Sequence, residues 1–330
     1  MSKFVARLQL ALLEQRTIRA IVRFVTTGAL LYLAGVFWFG WQETVTAFAA
    51  LGLQTLLIGA LLSSSSYLWR FGRWEYSLQC LEISVPKFTH FGIYLSGLAL
   101  TATPGKAGET FRSALLVHHG VKVTHSLAAF LADRGSDVLG MIFLGTLAAT
   151  MAGQHFAWVW LLSFALILLG SLTFASLLSH PVASTGWCRL ERSLTWLPIK
   201  GGQATLEAWA KVWILPRVSA FSVVAMLSYG TQALVFSWFC HILGTGISVA
   251  DCVLIFVQAT LFGAASMLPG GLGAMEVALV FQLLDRGVGD GSAMSLAISI
   301  RLVTLWFGML TGVISLLFLS SHDLKSEGKL

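Results

Sequence analysis

Charge is what this chain has least of. Only 11% of its 330 residues are Asp, Glu, Lys or Arg, against 56% that are hydrophobic. With a mean hydropathy of +0.80, the chain has too little polar surface to coat a soluble globule, which excludes a water-soluble domain. Proline is scarce as well, at six residues, so each helix break it marks is informative. The four cysteines, Cys80, Cys188, Cys240 and Cys252, form no CxxC pair and no metal-ligand spacing. His118, His119 and His125 lie near Lys122 without a local acidic or thiol partner, which reads as a basic, solvated turn and not a metal site. The chain lacks a Walker motif and a recognisable nucleophile–base pair, so ATP is not expected to drive it, no residue is assigned a catalytic role, and no cofactor is expected.

What the chain does have is long apolar runs. Those near 21–40, 50–69, 125–151, 157–178, 218–243 and 292–319 each reach the roughly 20 residues that cross a hydrocarbon core as helix. Two shorter runs, 89–103 and 251–267, end at Pro-Gly and are followed by short helical pieces at 107–118 and 274–285. These pairs read as hairpins over 89–118 and 251–285 that enter and leave the membrane on one side, with their broken backbone satisfied by protein or a wet cavity. The expected fold is an all-α polytopic membrane protein of six full transmembrane helices plus two re-entrant broken-helix hairpins.

The excess of 21 basic over 15 acidic residues, a net +6, sorts by membrane side. Lys3, Arg7, Arg16, Arg19 and Arg23, then Arg70, Arg73 and Lys87, then Arg189, Arg192, Lys200, Lys211 and Arg217 all fall on segments placed inside. The outer loops 41–49, 152–156, 244–250 and 286–291 hold one basic residue, Arg286. Both termini are therefore expected in the cytoplasm of a bacterial-type inner membrane, and nucleic acid is not an expected partner. The basic leader and the "AFA" at 47–49 superficially match a signal peptide, but leader and apolar run are both longer than in a cleaved signal. Segment 179–217, with Trp187, Trp196, Trp209 and Trp213 among basic residues, reads as an amphipathic element on the inner leaflet.

The Pro-Gly break occurs twice. Pro104, Gly105 and Gly108 match Pro269, Gly270 and Gly273 at an offset of 165 (269 − 104), with Lys106 in the first copy and Gly271 in the second. Beyond an insertion the offset becomes 167 (276 − 109), pairing Glu109 with Glu276, Arg134 with Arg301 and Gly145 with Gly312. Three full spans between the hairpins would invert the second copy. The expected organisation is a basic segment 1–20, a membrane repeat 21–151, a second repeat 157–319 carrying the loop 179–217, and a tail 320–330. Inverted repeats with broken helices place a site near the midplane of many transporters. A helix that restarts after Pro-Gly offers unpaired N–H groups and a positive dipole end to an anion such as phosphate.

Charges also stand inside the spans. Asp133 and Asp137, four residues apart, flank Arg134 in one, and Arg301 takes the matching place in the last. At roughly 3 kcal/mol each, four such charges facing lipid would cost on the order of 10 kcal/mol. They must turn inward, where Arg134 and Arg301 can pair with Glu109, Glu276, Asp133 or Asp137. Spacing does not choose among these pairs. Arg112 completes the candidate substrate-binding set on the first hairpin. An ion-pair network that locks the hairpins to the bundle remains an alternative role for the same residues.

Four motifs carry a resemblance. Thr103 to Glu109, the Asp133–Arg134–Asp137 group, Pro269 to Glu276, and Arg301 with Thr304 and Trp306 together resemble the transmembrane-region family of lysylphosphatidylglycerol synthase, the flippase-like part of the multiple peptide resistance factor. The likeness covers roughly residues 20 to 320. An aromatic residue expected before the late Arg is Ile300 here, and the aminoacyl-transferring soluble domain of the larger synthases is not expected, since none follows the last helix in this sequence. The resemblance implies movement or binding of a phosphate-bearing lipid: a phospholipid, an aminoacyl-phospholipid or a polyprenyl-linked glycan. Expected partners are membrane lipids and lipid- or glycan-synthesising enzymes. An intramembrane lipid-modifying enzyme and a scaffold of a lipid-modifying complex stay open as alternatives.

Overall fold

The structure is a computed structural model that describes residues 15–103, 109–178 and 202–327. Every regular element among them is a helix. Helix α1 runs Gln15–Gln79 and contains Gly52 at φ +75°, a value no helical residue takes, so the element bends there. The expected spans 21–40 and 50–69 both fall within it. Then α2 (Lys87–Ser96) tightens into a 3-10 turn at Gly97–Leu100, and α3 (Phe111–Leu116) leads through the left-handed Gly120 to α4 (Val123–Met151). Helices α5 (Ala157–Leu178), α6 (Gly202–Val212) and α7 (Leu215–Ile242) follow. The chain continues with α8 (Val249–Ala265), a turn at Pro269–Gly271, α9 (Ala274–Asp285) and α10 (Asp290–Arg301). A π-helical turn at Leu302–Trp306 joins α10 to α11 (Phe307–Glu327).

Among the described residues four helical stretches are long and apolar enough to cross a membrane: Ala49–Gln79, Ala157–Leu178, Leu215–Ile242 and Asp290–Leu319. Helix α4, at 29 residues, has comparable length but carries Asp133, Arg134 and Asp137 in its first half. The two kinds of helix differ in what surrounds them. Only 6% of the most apolar stretch of α5 is buried, so Leu161, Leu166, Leu169 and Leu177 present a face suited to lipid. Helix α4 sits at the centre, against α5, α6, α7 and α8. This is a multi-pass, membrane-embedded, all-α protein.

Small residues set the closest approaches, as expected where helices associate without a hydrophobic driving force. A Cβ on Gly140 of α4 would lie 2.5 Å from the Ala225 Cβ on α7, and one on Gly312 of α11 would overlap the Ala99 amide nitrogen. Helix α2 and its 3-10 turn therefore pack on α11, while α8 packs on α4 and folds back along α9. Helix α6 is the described part of segment 179–217, and its apolar face packs on the bundle. Its Trp209 stacks on Trp213 at 5.2 Å between centroids, and both are buried against α4 and α5 because Gly135 opens a slot for the Trp213 ring.

Candidate functional site

Near the middle of α4, Asp133 and Asp137 lie on one face of the helix, one turn apart. Both are buried, and both meet arginines from α1. Arg73 donates from Nε to Asp133 Oδ1 at 2.8 Å and from Nη2 to Asp137 Oδ1 at 2.7 Å, and Arg70 Nη2 reaches Asp137 Oδ2 at 3.2 Å and the Tyr229 hydroxyl at 2.9 Å. Tyr229 in turn donates to Asp137. The i, i+3 spacing of the arginines on α1 thus answers the i, i+4 spacing of the carboxylates on α4. Arg70 and Arg73 are not the solvated loop cations their place after residue 69 suggested. The helix continues to Gln79, so they stay inside the protein, at 7% and 3% exposure.

The network extends to the first hairpin through Arg134, which lies 3.1 Å from Asp137 and 3.5 Å from Glu109. Glu109 also takes Arg112 Nη2 at 2.6 Å and the Thr101 hydroxyl at 3.3 Å. The Arg112 guanidinium is held between two rings, 4.2 Å from the Trp74 centroid and 4.8 Å from that of Tyr94, an arrangement that suits its weakly hydrated, planar charge. Pro104, Gly105, Lys106 and Gly108 lie outside the described residues. On those described, the cluster has four arginines (70, 73, 112, 134) and three carboxylates (109, 133, 137), an excess of one positive charge (4 − 3).

The second break forms a smaller centre. Gly270, Gly271 and Gly273 have φ of +60°, +65° and +82°, a run of left-handed conformations that residues with a Cβ adopt poorly. Arg301 holds this turn: it donates to the Gly270 carbonyl at 2.6 Å and to Glu276 Oε1 at 2.9 Å. The π-helical turn begins directly after Arg301, and such turns cluster at functional sites. Of the pairings open from spacing, the structure selects Arg301 with Glu276 and Arg134 with Glu109 and Asp137, while Asp133 pairs with Arg73, which spacing had not offered.

The two centres face one cavity. A Cβ on Gly270 would stand 3.1 Å from the Ala102 Cα, so the second turn touches the chain just before the first break. Between them lies a space of about 80 Å³, bordered by Arg70, Arg301, Tyr67, Tyr229, Thr101 and Gly270. Its volume admits a few waters, at roughly 10–15 Å³ each. Among the described residues, two that border it, Arg70 at Nε and Tyr67 at its hydroxyl, have a buried polar atom without a hydrogen-bond partner. Arg70, Arg73, Tyr67 and Tyr229 were missed in the sequence. The available signal was the aromatic run Trp69, Phe71, Trp74 and Tyr76, which carries the apolar character of α1 past the two arginines.

The family described as lysylphosphatidylglycerol synthase TM region matches residues 21–312. The chain belongs to that family. Among its relatives is a protein of Methanothermobacter thermautotrophicus described as a UPF0104 membrane protein, 25% identical over 289 aligned residues that cover 76% of this chain and 80% of the relative. Membership identifies a lipid-related integral membrane protein, and the match takes in every residue of both charged centres.

Proposed function

We propose that the chain is a lipid flippase or transporter whose chamber holds the phosphate of a lipid headgroup as the lipid changes leaflet. One observation carries this reading: Arg70 and Arg301, from opposite halves of the chain, border the same cavity, where the second break meets Ala102. A guanidinium is suited to bidentate recognition of phosphate, and the excess positive charge of the larger centre calls for an anion. The packing supports an inverted pair of re-entrant hairpins, since the first hairpin rests on α11 of the second half and the second rests on α4 of the first half. In this reading a headgroup enters as ion pairs such as Arg301–Glu276 open on one side. The enzyme alternative finds less support, because Glu109, Asp133 and Asp137 are each engaged by arginine.

Reconstitution of the purified protein into liposomes with labelled lipids tests the proposal. Exchange between leaflets is expected for at least one of phospholipid, aminoacyl-phospholipid or polyprenyl phosphate, and it should fall in Arg70→Gln and Arg301→Gln. No exchange for any of them, with folded protein in the bilayer, would overturn it.

A further inference from the structure

Two cysteines that are 12 residues apart in the sequence (252 − 240) meet in the structure. Cys240 lies in the last turn of α7 and Cys252 in the first turn of α8. Both are fully buried, in the same apolar cluster. Their thiols share a hydrogen bond, and Cys252 also meets the Ser237 hydroxyl, three residues before Cys240 on the same face of α7. The short link between the helices holds this register. The Cys240 carbonyl accepts from the Thr245 amide and hydroxyl, both at 3.1 Å, and the Cys252 amide donates to the Ser248 carbonyl at 2.9 Å. Gly244 and Gly246 turn the link at φ of +64° and +69°, and both are exposed, as is Ser248. The thiols therefore sit beneath a surface loop, at the helix ends that the charge pattern of the sequence places outside.

We infer that Cys240 and Cys252 are a disulfide site that joins α7 to α8 at the outer face of the membrane. The free thiol pair of this structure is its reduced form. Thiols in hydrogen-bond contact on successive helices are within bonding reach, and an oxidising compartment outside the inner membrane favours the bond. It forms by exchange with a protein oxidant that carries a reactive disulfide. A thiolate of one cysteine attacks that disulfide to give a mixed disulfide, the thiolate of the other displaces the oxidant, and the oxidant leaves as a dithiol with both protons and both electrons. Because packing buries the two sulfurs, exchange belongs to the stage after membrane insertion and before α8 closes on α7. The bond also braces the chamber. Tyr229 and Gln232 of α7 and Phe256 and Thr260 of α8 border that space, so the link fixes two of its walls against each other, whatever the chamber carries.

The test uses the full chain in the inner membrane of a bacterial host with an oxidising periplasm. Cells are quenched in acid, free thiols are blocked with N-ethylmaleimide in denaturant, and thiols released by a reductant are then counted with a maleimide-linked polymer that retards the protein on a gel. Two of the four cysteines are expected to be released in the wild type, and none in Cys240→Ser or Cys252→Ser. Digestion with trypsin and Asp-N without reductant should yield fragments 218–250 and 251–284, each with one cysteine, as a single species that separates on reduction. Four free thiols at the quench, or a link through Cys80 or Cys188, would overturn the inference. In purified protein the thermal midpoint should fall when reductant is added to the wild type and stay unchanged in Cys240→Ser. A wild-type midpoint indifferent to reductant, with the bond shown to be broken, would overturn the bracing of the chamber walls.

Discussion

Asp137 is met by three guanidinium groups, those of Arg70, Arg73 and Arg134, whereas Asp133 is met by Arg73. Removing one partner of a buried ion pair costs about 3–5 kcal/mol, because the charges left behind remain desolvated. Asp137→Asn is therefore expected to lower the thermal midpoint in detergent more than Asp133→Asn, and equal midpoints would mean that Asp137 does not organise the cluster. Arg112 makes a related argument. Arg112→Lys keeps the charge but loses the planar contact with Trp74 and Tyr94, and a loss of about 1–2 kcal/mol is expected in the same measurement. Retention of full stability would assign the two rings a packing role only. At this scale the sequence was informative wherever a charge interrupted an apolar run, as at Glu109, Asp133, Arg134 and Arg301. Arg70 and Arg73 were hidden because they stand near a helix end, where a charge is ordinarily solvated.

At the scale of elements, closeness of helices decides which charges can meet. Gly312 lets α11 press on the backbone of the 3-10 turn at Gly97–Leu100, with no space for a side chain. Gly312→Val is expected to cost about 1–3 kcal/mol by overpacking and to disturb Thr101 and Glu109, which follow that turn. Gly230→Val on α7, where an added Cβ meets nothing within 4 Å, serves as the matched control. The prediction fails if both variants melt alike. The Pro-Gly break at Pro269 and Gly270 was visible in the sequence because proline and glycine leave a local signature. The continuation of α1 to Gln79, the π-helical turn after Arg301 and the inward packing of α6 had no such mark, since each depends on a neighbour: Tyr67 approaches Gly308, and Gly135 receives Trp213.

For the whole molecule, the inverted reading of the two halves makes a prediction about sidedness. The turn at Gly120–Lys122 follows the first hairpin and the turn at Gly287–Asp290 follows the second, so they should lie on opposite faces of the membrane. Single cysteines at the exposed positions Lys122 and Asp290, with the native cysteines replaced by serine, should label with a membrane-impermeant thiol reagent from opposite sides. Labelling of both from one side would remove the inverted arrangement, and alternating access through the chamber with it.

By itself, the sequence determined that this is a membrane protein with its helices broken twice and its charges turned inward, because composition, run length and proline act locally along the chain. Only the tertiary structure decided which charge meets which. A helix rotated by one residue, about 100°, would carry Asp137 away from Arg70 and Arg73. That rotation is set by contacts between distant segments, Gly140 on Ala225 and Gly312 on Ala99, and by the cost of leaving any guanidinium or carboxylate unpaired in the interior.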